Sequence, residues 1–350
     1  MSMNAETSLD AALSAARLLA REPLARIMYG QRELFHSNLL AWFFEEFPAE
    51  ADEVFKLFST PGGETSRAIK REFQNLDLVM LWPGRSPLVI ENKVFALPDP
   101  IQLERYDEVL AKWKNLPQRV LLGVVPPLRE VDGWRFVSYR DLAERIEHAL
   151  VDRVSTYEVE TMRHYARMIH RLVDLIEVTE IHTLNEDVWL APELLAALDS
   201  NQLATALSKL RGHRVAADLN IRLGGGVDAS LSHGKPVLTW RRNIERDGFV
   251  VEAGLQLQEG QLRRYLTVPH LSGRTADHIS VREEFAARHL DDFRFGGLGA
   301  AIDIDQVVTV PAIGFLRFNP DFVYRYAKVS VLSAAQLEAA IRWADASLQP

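Results

Sequence analysis

Three charged residues lie at the ends of two neighbouring apolar runs, 76–82 and 87–94. Asp77 stands at the start of the first run, and Glu91 and Lys93 stand near the end of the second. Residues two apart on a strand point to the same face, so Glu91 and Lys93 share one. Charges on a strand that is apolar on both faces need a partner or a metal ion. The pattern therefore predicts a functional site at Asp77, Glu91 and Lys93.

The chemistry open to these residues is that of a hard cation and a phosphate. Carboxylate oxygens of Asp77 and Glu91 are ligands that Mg²⁺ or Mn²⁺ prefers, with water in the remaining positions. The backbone carbonyl oxygen of Asn92 is a further candidate ligand. Lys93 would orient and acidify an attacking water or stabilise negative charge on a phosphate. The alternative is a surface carboxylate–lysine pair, which is common in proteins.

The elements around these residues form a compact pattern. The runs 76–82 and 87–94 are strands on either side of a Pro83-Gly84 turn, which predicts a hairpin. A short strand over 69–73 precedes the hairpin, and strands over 119–125 and 134–138 follow it.

A helix begins after the hairpin, and Gln102 lies in its first turn. Asp99 is a suitable N-cap residue and Pro100 suits the first helical position. Gln102 has two interpretations that local sequence does not separate. It either completes a capping box with Asp99 or faces the site.

Long helical patterns flank the strands. They cover about 8–21, 24–47, 138–151 and 157–178, and they predict a mixed sheet with helices on both faces. Within the second helix, Glu33 and His36 share one stripe. Spacing alone favours the exposed edge of a core helix for both of them.

The second half of the chain has a different pattern, so we divide the sequence into domains 1–185 and 186–350. A helix over 192–210 is followed by alternating segments at 214–223, 236–242, 249–256 and 262–268, which predict antiparallel strands. This second domain is α+β. Three roles are open to it: substrate recognition, homo-oligomerisation and binding of a protein partner.

Composition excludes several classes of protein. The net charge of −8 and the pI near 5.7 rule out binding of a polyanion through bulk charge. The absence of cysteine excludes disulfides, thiolate zinc sites and cysteine nucleophiles. No apolar run reaches the roughly 20 residues that span a bilayer, and segment 1–22 lacks the basic start of a signal peptide. We expect a cytoplasmic protein without a membrane partner.

The motifs around the hairpin resemble those of one enzyme superfamily. Asp77, the Glu91-Asn92-Lys93 triplet and the Gln102-Leu103 and Tyr106 positions of the next helix are similar to the PD-(D/E)XK nuclease superfamily. The bacterial branch with an ExK strand and a QL..RY helix is the most similar. Glu33-x-x-His36-Ser37 and Tyr139-x-x-Leu142 extend the resemblance over 33–178. Leu76 replaces the proline of the motif, which affects no side-chain role.

The resemblance implies a restriction-endonuclease-like αβββαβ core and a role for each matched residue. Asp77 and Glu91 would bind the metal, Lys93 would be the catalytic lysine, and Gln102 would lie near the substrate backbone. Glu33 would be an additional metal ligand carried on a helix. Glu72 lies where many relatives carry another acid, although its match is weaker.

The function implied is Mg²⁺- or Mn²⁺-dependent hydrolysis of phosphodiester bonds in nucleic acid, with DNA favoured over RNA. A setting in defence or genome maintenance follows from the resemblance alone. The alternative is a nuclease-like module that has lost catalysis and serves in binding or scaffolding. The acidic net charge favours that alternative, whereas the presence of Asp77, Glu91 and Lys93 together argues against it.

Overall fold

The computed structural model of this chain divides into two compact units. One contains 1–179 and 191–210, and the other contains 180–190 and 211–350. Each unit includes a segment that interrupts the other in sequence, so no single cut in the chain separates them. The residues described are 3–58, 67–96, 100–127, 130–199, 203–232, 235–267, 277–304, 308–309, 316–317 and 322–348.

The first unit is a five-stranded mixed sheet flanked by helices. Both the mixed sheet and its flanking helices were expected from the alternation of strand and helix patterns. Its strands are β1 (Ala68–Phe73), β2 (Leu76–Leu81), β3 (Leu88–Lys93), β4 (Gln118–Gly123) and β5 (Trp134–Ser138). Its helices are α1 (Met3–Ala20), α2 (Pro23–Glu46), α3 (Pro48–Val54), α4 (Pro100–Leu110), α5 (Tyr139–Ala149), α6 (Tyr157–Thr179) and α7 (Pro192–Asp199).

Strand β3 lies at the centre of this sheet, whose order is β1-β2-β3-β4-β5. It pairs antiparallel with β2, as the hairpin prediction required, and parallel with β4. All six residues of β3 are buried, including its polar end. A strand with neighbours on both sides and helices over the sheet has no edge or face in water. The polar end of β3 therefore depends on partners within the protein.

One face of the sheet packs against α4. Val79, Val89 and Leu121 form an apolar cluster with Leu103 and Leu110 of that helix. Glu91 lies beside Leu121 in the parallel register and shares this face. The apolar cluster thus fixes α4 over the face of the sheet that carries Asp77, Glu91 and Lys93.

The second unit is built on a seven-stranded antiparallel sheet, which agrees with the expected α+β class. Its order is β10-β12-β9-β8-β7-β6, and β11 also pairs with β12. The strands are β6 (Val227–Ser232), β7 (Lys235–Arg246), β8 (Phe249–Gln258), β9 (Gln261–Thr267), β10 (Val308–Thr309), β11 (Leu316–Arg317) and β12 (Phe322–Lys328). The helices are α8 (Ala204–Leu223), which has residues in both units, α9 (Asp277–Arg288), a 3₁₀ helix (Leu290–Phe293), α10 (Leu298–Ile302) and α11 (Ala334–Ser347).

The predicted strand over 214–223 is wrong, because this segment belongs to helix α8. Its apolar residues alternate by coincidence, but the buried ones are Val215, Ala216 and Leu219, which follow helical spacing. Ile221 continues the alternation and is 83% exposed. The single helix expected over 192–210 is instead divided between two helices, α7 and the first part of α8.

Two further expectations concern membrane-spanning helices and the N-cap of α4. None of the helices in the described part of the chain is long and apolar enough to cross a membrane. The N-cap predicted at Asp99 falls in 97–99, outside the described residues.

Candidate active site

Asp77 and Glu91 come together as adjacent residues of the central hairpin. Leu78 pairs with Ile90, so the next step of the antiparallel register brings Asp77 beside Glu91 on the same face. Burial, together with the neighbouring charge of Asp77, raises the pKa of Glu91 to about 7, although Lys93 acts in the opposite direction. Burial likewise raises the pKa of Asp77. A buried acid and a half-buried acid that repel each other form a site that favours a cation.

Lys93 links this acid pair to helix α4. Its Nζ donates to Glu91 Oε1 at 2.8 Å and to Gln102 Oε1 at 2.9 Å, and the residue is 8% exposed. Burial lowers the pKa of the ammonium group, but the charges of Glu91 and Asp77 outweigh that effect and raise it. Lys93 therefore carries a positive charge at neutral pH in the metal-free protein.

Gln102 faces the site through its side-chain amide. Its oxygen accepts from Lys93, and its Nε2 donates to the hydroxyl of Tyr106 at 2.6 Å. Of the two interpretations of Gln102, these contacts favour the site, while its predicted partner Asp99 is outside the described residues. Tyr106 lies one helical turn after Gln102, and the i, i+4 spacing on α4 could have indicated its role. The local sequence by itself assigns no role to Tyr106.

Glu33 approaches the site from helix α2 and contacts the backbone beyond β3. Its Oε1 accepts from the N–H groups of Phe95 at 3.0 Å and Ala96 at 2.8 Å. Its charge is close enough to raise the pKa of Asp77, although by less than burial does. One carboxylate oxygen of Glu33 thus anchors the segment that leaves β3, and its role as a metal ligand stays a prediction.

Asn92 contacts the site through its backbone N–H, which donates to Asp77 Oδ2 at 2.7 Å. Its side chain lies on the face opposite to Glu91 and Lys93 and donates to the carbonyl oxygen of Glu33. The prediction that the Asn92 carbonyl binds a metal is not tested by these contacts. Glu72 is exposed, has a φ of 49°, and adds a smaller repulsive effect on Asp77.

The donor atoms fit a hydrated divalent cation. Glu91 Oε2 is buried and has no hydrogen-bond partner within the described structure. Across the described residues no three His, Asp or Glu side chains converge to hold a metal, which does not fit a closed zinc site. Mg²⁺ commonly binds through one or two carboxylates and retains several waters. Asp77 and Glu91 supply such a pair.

We expect binding of Mn²⁺ to depend on pH through Glu91. A proton must leave Glu91, whose pKa is about 7, before the carboxylate can bind a cation. The apparent affinity should therefore increase about tenfold between pH 6 and pH 8. Isothermal titration of EDTA-treated protein at both pH values measures this change. An affinity that is equal at the two pH values would show that Glu91 is not a ligand.

Comparison of the chain with protein-family models, with curated proteins and with solved structures finds no match.

Proposed function

We propose that the first unit is a nuclease that hydrolyses phosphodiester bonds of nucleic acid with Mg²⁺ or Mn²⁺ as cofactor. The observation that carries the proposal is the acid pair, half-buried Asp77 and buried Glu91, with an unpartnered oxygen on Glu91 and the ammonium group of Lys93 beside it. Cation ligands next to a positive donor suit the hydrolysis of a negatively charged ester.

The order of elements supports the same proposal. Helix α2, strands β1, β2 and β3, helix α4 and strand β4 follow one another with a short helix, α3, after α2. This order agrees with the αβββαβ core that the resemblance of the motifs implies. Fold alone does not determine function, so the acid pair remains the main support.

The residues of this site would divide the work as follows. Asp77 and Glu91 would hold the cation, which when bound polarises the phosphate and neutralises charge in the transition state. Lys93 would orient the attacking water and stabilise the developing negative charge, since an ammonium group with a raised pKa does not act as a base. Gln102 would keep Lys93 in place through the hydrogen bond to Nζ.

The substrate and setting belong to the proposal and rest on the resemblance. We propose DNA as the substrate in preference to RNA, a cytoplasmic location, and a role in defence or genome maintenance. Substrate recognition, homo-oligomerisation and partner binding remain the roles proposed for the second unit.

The test is a cleavage assay on single- and double-stranded DNA and RNA, with Mg²⁺ or Mn²⁺ and with EDTA. Asp77→Asn should lower cleavage at least about 100-fold, because the neutral amide is a poor cation ligand. The matched control is Asp152→Asn at an exposed acid in the turn after α5, and this variant should cleave as the wild type does. Equal activity of wild type and Asp77→Asn would reject this site. Nucleic-acid binding without cleavage by the wild type would favour the inactive binding module.

A further inference from the structure

A group of polar side chains is buried on the face of the sheet opposite to the acid pair. Burying a polar group is unfavourable unless its hydrogen bonds are made, and an apolar residue would avoid that penalty. These side chains come from β3 and three helices and form one connected network. They are His36 (0% exposed), Ser37 (3%), Asn92 (2%), Tyr139 (0%) and Tyr165 (0%).

Asn92 is the centre of this network. Its Nδ2 donates to the carbonyl oxygen of Glu33 at 3.0 Å and to Ser37 Oγ at 3.3 Å. Its Oδ1 accepts from the hydroxyl of Tyr139. The side-chain amide therefore has partners for both its nitrogen and its oxygen, and it joins β3 to α2 and α5.

Tyr139 is held in turn by aromatic and polar neighbours. Its ring meets that of His36 edge-on, with 5.1 Å between the ring centroids. His36 Nδ1 is 3.0 Å from the hydroxyl of Tyr165 on α6. Burial lowers the pKa of His36 to about 3, so the ring is neutral near pH 7. The network thus adds no charge to the site, and its effect on the acids must come from geometry.

The geometric effect reaches the acids through the backbone. Asn92 lies between Glu91 and Lys93 in sequence, and its N–H donates directly to Asp77 at 2.7 Å. Apolar contacts would tolerate a small shift of the strand, whereas hydrogen bonds are directional. A fixed Asn92 consequently fixes the position of β3 relative to Asp77 on β2.

We infer that Tyr139 and Asn92 are positioning residues that hold the Asp77 and Glu91 carboxylates at the separation needed for a divalent cation. The use of this positioning in catalysis rests on the proposed nuclease function. The effect of the network on the position of β3 does not depend on cleavage. Partners that orient metal ligands typically alter metal affinity when they are removed.

The experiment is Tyr139→Phe, which keeps the ring and removes only the hydroxyl group that donates to Asn92. Hydrogen exchange of the metal-free protein reports on the amides of the segment 88–96. We expect this segment to exchange about tenfold faster than in the wild type, because its anchor is released. Mn²⁺ affinity, measured by titration calorimetry, should fall by roughly 10- to 100-fold.

The control is Tyr265→Phe in the second unit, where a tyrosine of 2% exposure donates to Glu252 at 3.1 Å. It makes the same chemical change and should leave both the exchange of 88–96 and the Mn²⁺ affinity unaltered. The inference is overturned if 88–96 exchanges in Tyr139→Phe at the wild-type rate, or if Tyr139→Phe and Tyr265→Phe accelerate its exchange equally. Ser37→Ala, which removes another partner of Asn92, should show the same local acceleration even if Tyr139→Phe folds poorly. If the wild-type protein cleaves no nucleic acid but Tyr139→Phe still accelerates exchange of 88–96, the nuclease function is rejected and the positioning role is supported.

Discussion

Replacement of Lys93 by methionine is expected to lower the cleavage rate by about 100- to 1,000-fold, the effect of removing one preorganised donor to a transition state. Methionine is similar in length and fills the same space, but it has no charge and no donor. The two hydrogen bonds from Nζ, to Glu91 Oε1 and Gln102 Oε1, are lost together. The rate should fall because the charge developing on the phosphate would lose the stabilising positive charge of Lys93.

The same substitution should strengthen Mn²⁺ binding. The ammonium group of Lys93 interacts with Glu91 and Asp77, which are the proposed ligands, and it repels any cation that binds between them. Loss of cleavage together with tighter metal binding would distinguish a catalytic lysine from a residue that only supports the site. A structural role predicts that both properties deteriorate.

Single-turnover cleavage and titration calorimetry measure the two effects. Lys56→Met is the matched control, since Lys56 also pairs with a glutamate of the first unit but is an exposed residue on the surface. This control should retain cleavage and metal affinity. Wild-type cleavage by Lys93→Met would remove Lys93 from the mechanism, whatever happens to the affinity.

The hairpin and its acids could be predicted because their signals are local. Apolar runs with a Pro83-Gly84 turn determine a hairpin, and a period of two places Glu91 and Lys93 on one face. The opposite face of the same strand was less accessible to prediction. Only the backbone carbonyl of Asn92 was predicted to have a role, because the partners of its side chain, Ser37 and Tyr139, are distant in sequence.

One further residue and one segment show where sequence patterns are insufficient. Glu33 and the segment it anchors are separated by more than 60 residues, so no spacing rule predicts the hydrogen bonds to Phe95 and Ala96. The segment 214–223 satisfies both the strand and the helix period, and the choice is made by burial of Val215 and Leu219 in the folded unit. Tertiary contacts decide both cases.

Glu91→Gln should abolish cleavage, by about 1,000-fold or more, and should also make the metal-free protein more stable at pH 8. The folded-state pKa of Glu91 is about 7, above the ordinary value of 4.5. The folded protein thus binds a proton that the unfolded chain has already released between these values. The stability contributed by this proton is complete below pH 4.5 and is lost as the pH rises through 7. Glutamine cannot ionise and avoids that loss.

The expected gain in the free energy of unfolding at pH 8 is about 3 kcal/mol, because the pKa shift from 4.5 to about 7 corresponds to about 1.4 kcal/mol for each pKa unit. Near pH 5 the two proteins should differ much less, because Glu91 is mostly protonated there. Urea unfolding in EDTA at pH 5 and pH 8 measures both differences. The control is Glu22→Gln, because Glu22 is 3% exposed and forms ion pairs with Arg167 and Arg171. Loss of these pairs should lower stability at both pH values.

The sign of the change at pH 8 distinguishes the two interpretations of the Glu91–Lys93 pair. If the pair were a structural ion pair, Glu91→Gln would destabilise the protein as Glu22→Gln does. If the charge of Glu91 is unfavourable in the folded protein, its removal increases stability while function is lost. A buried acid that weakens the fold beside a second acid is best explained by the cation that both would bind.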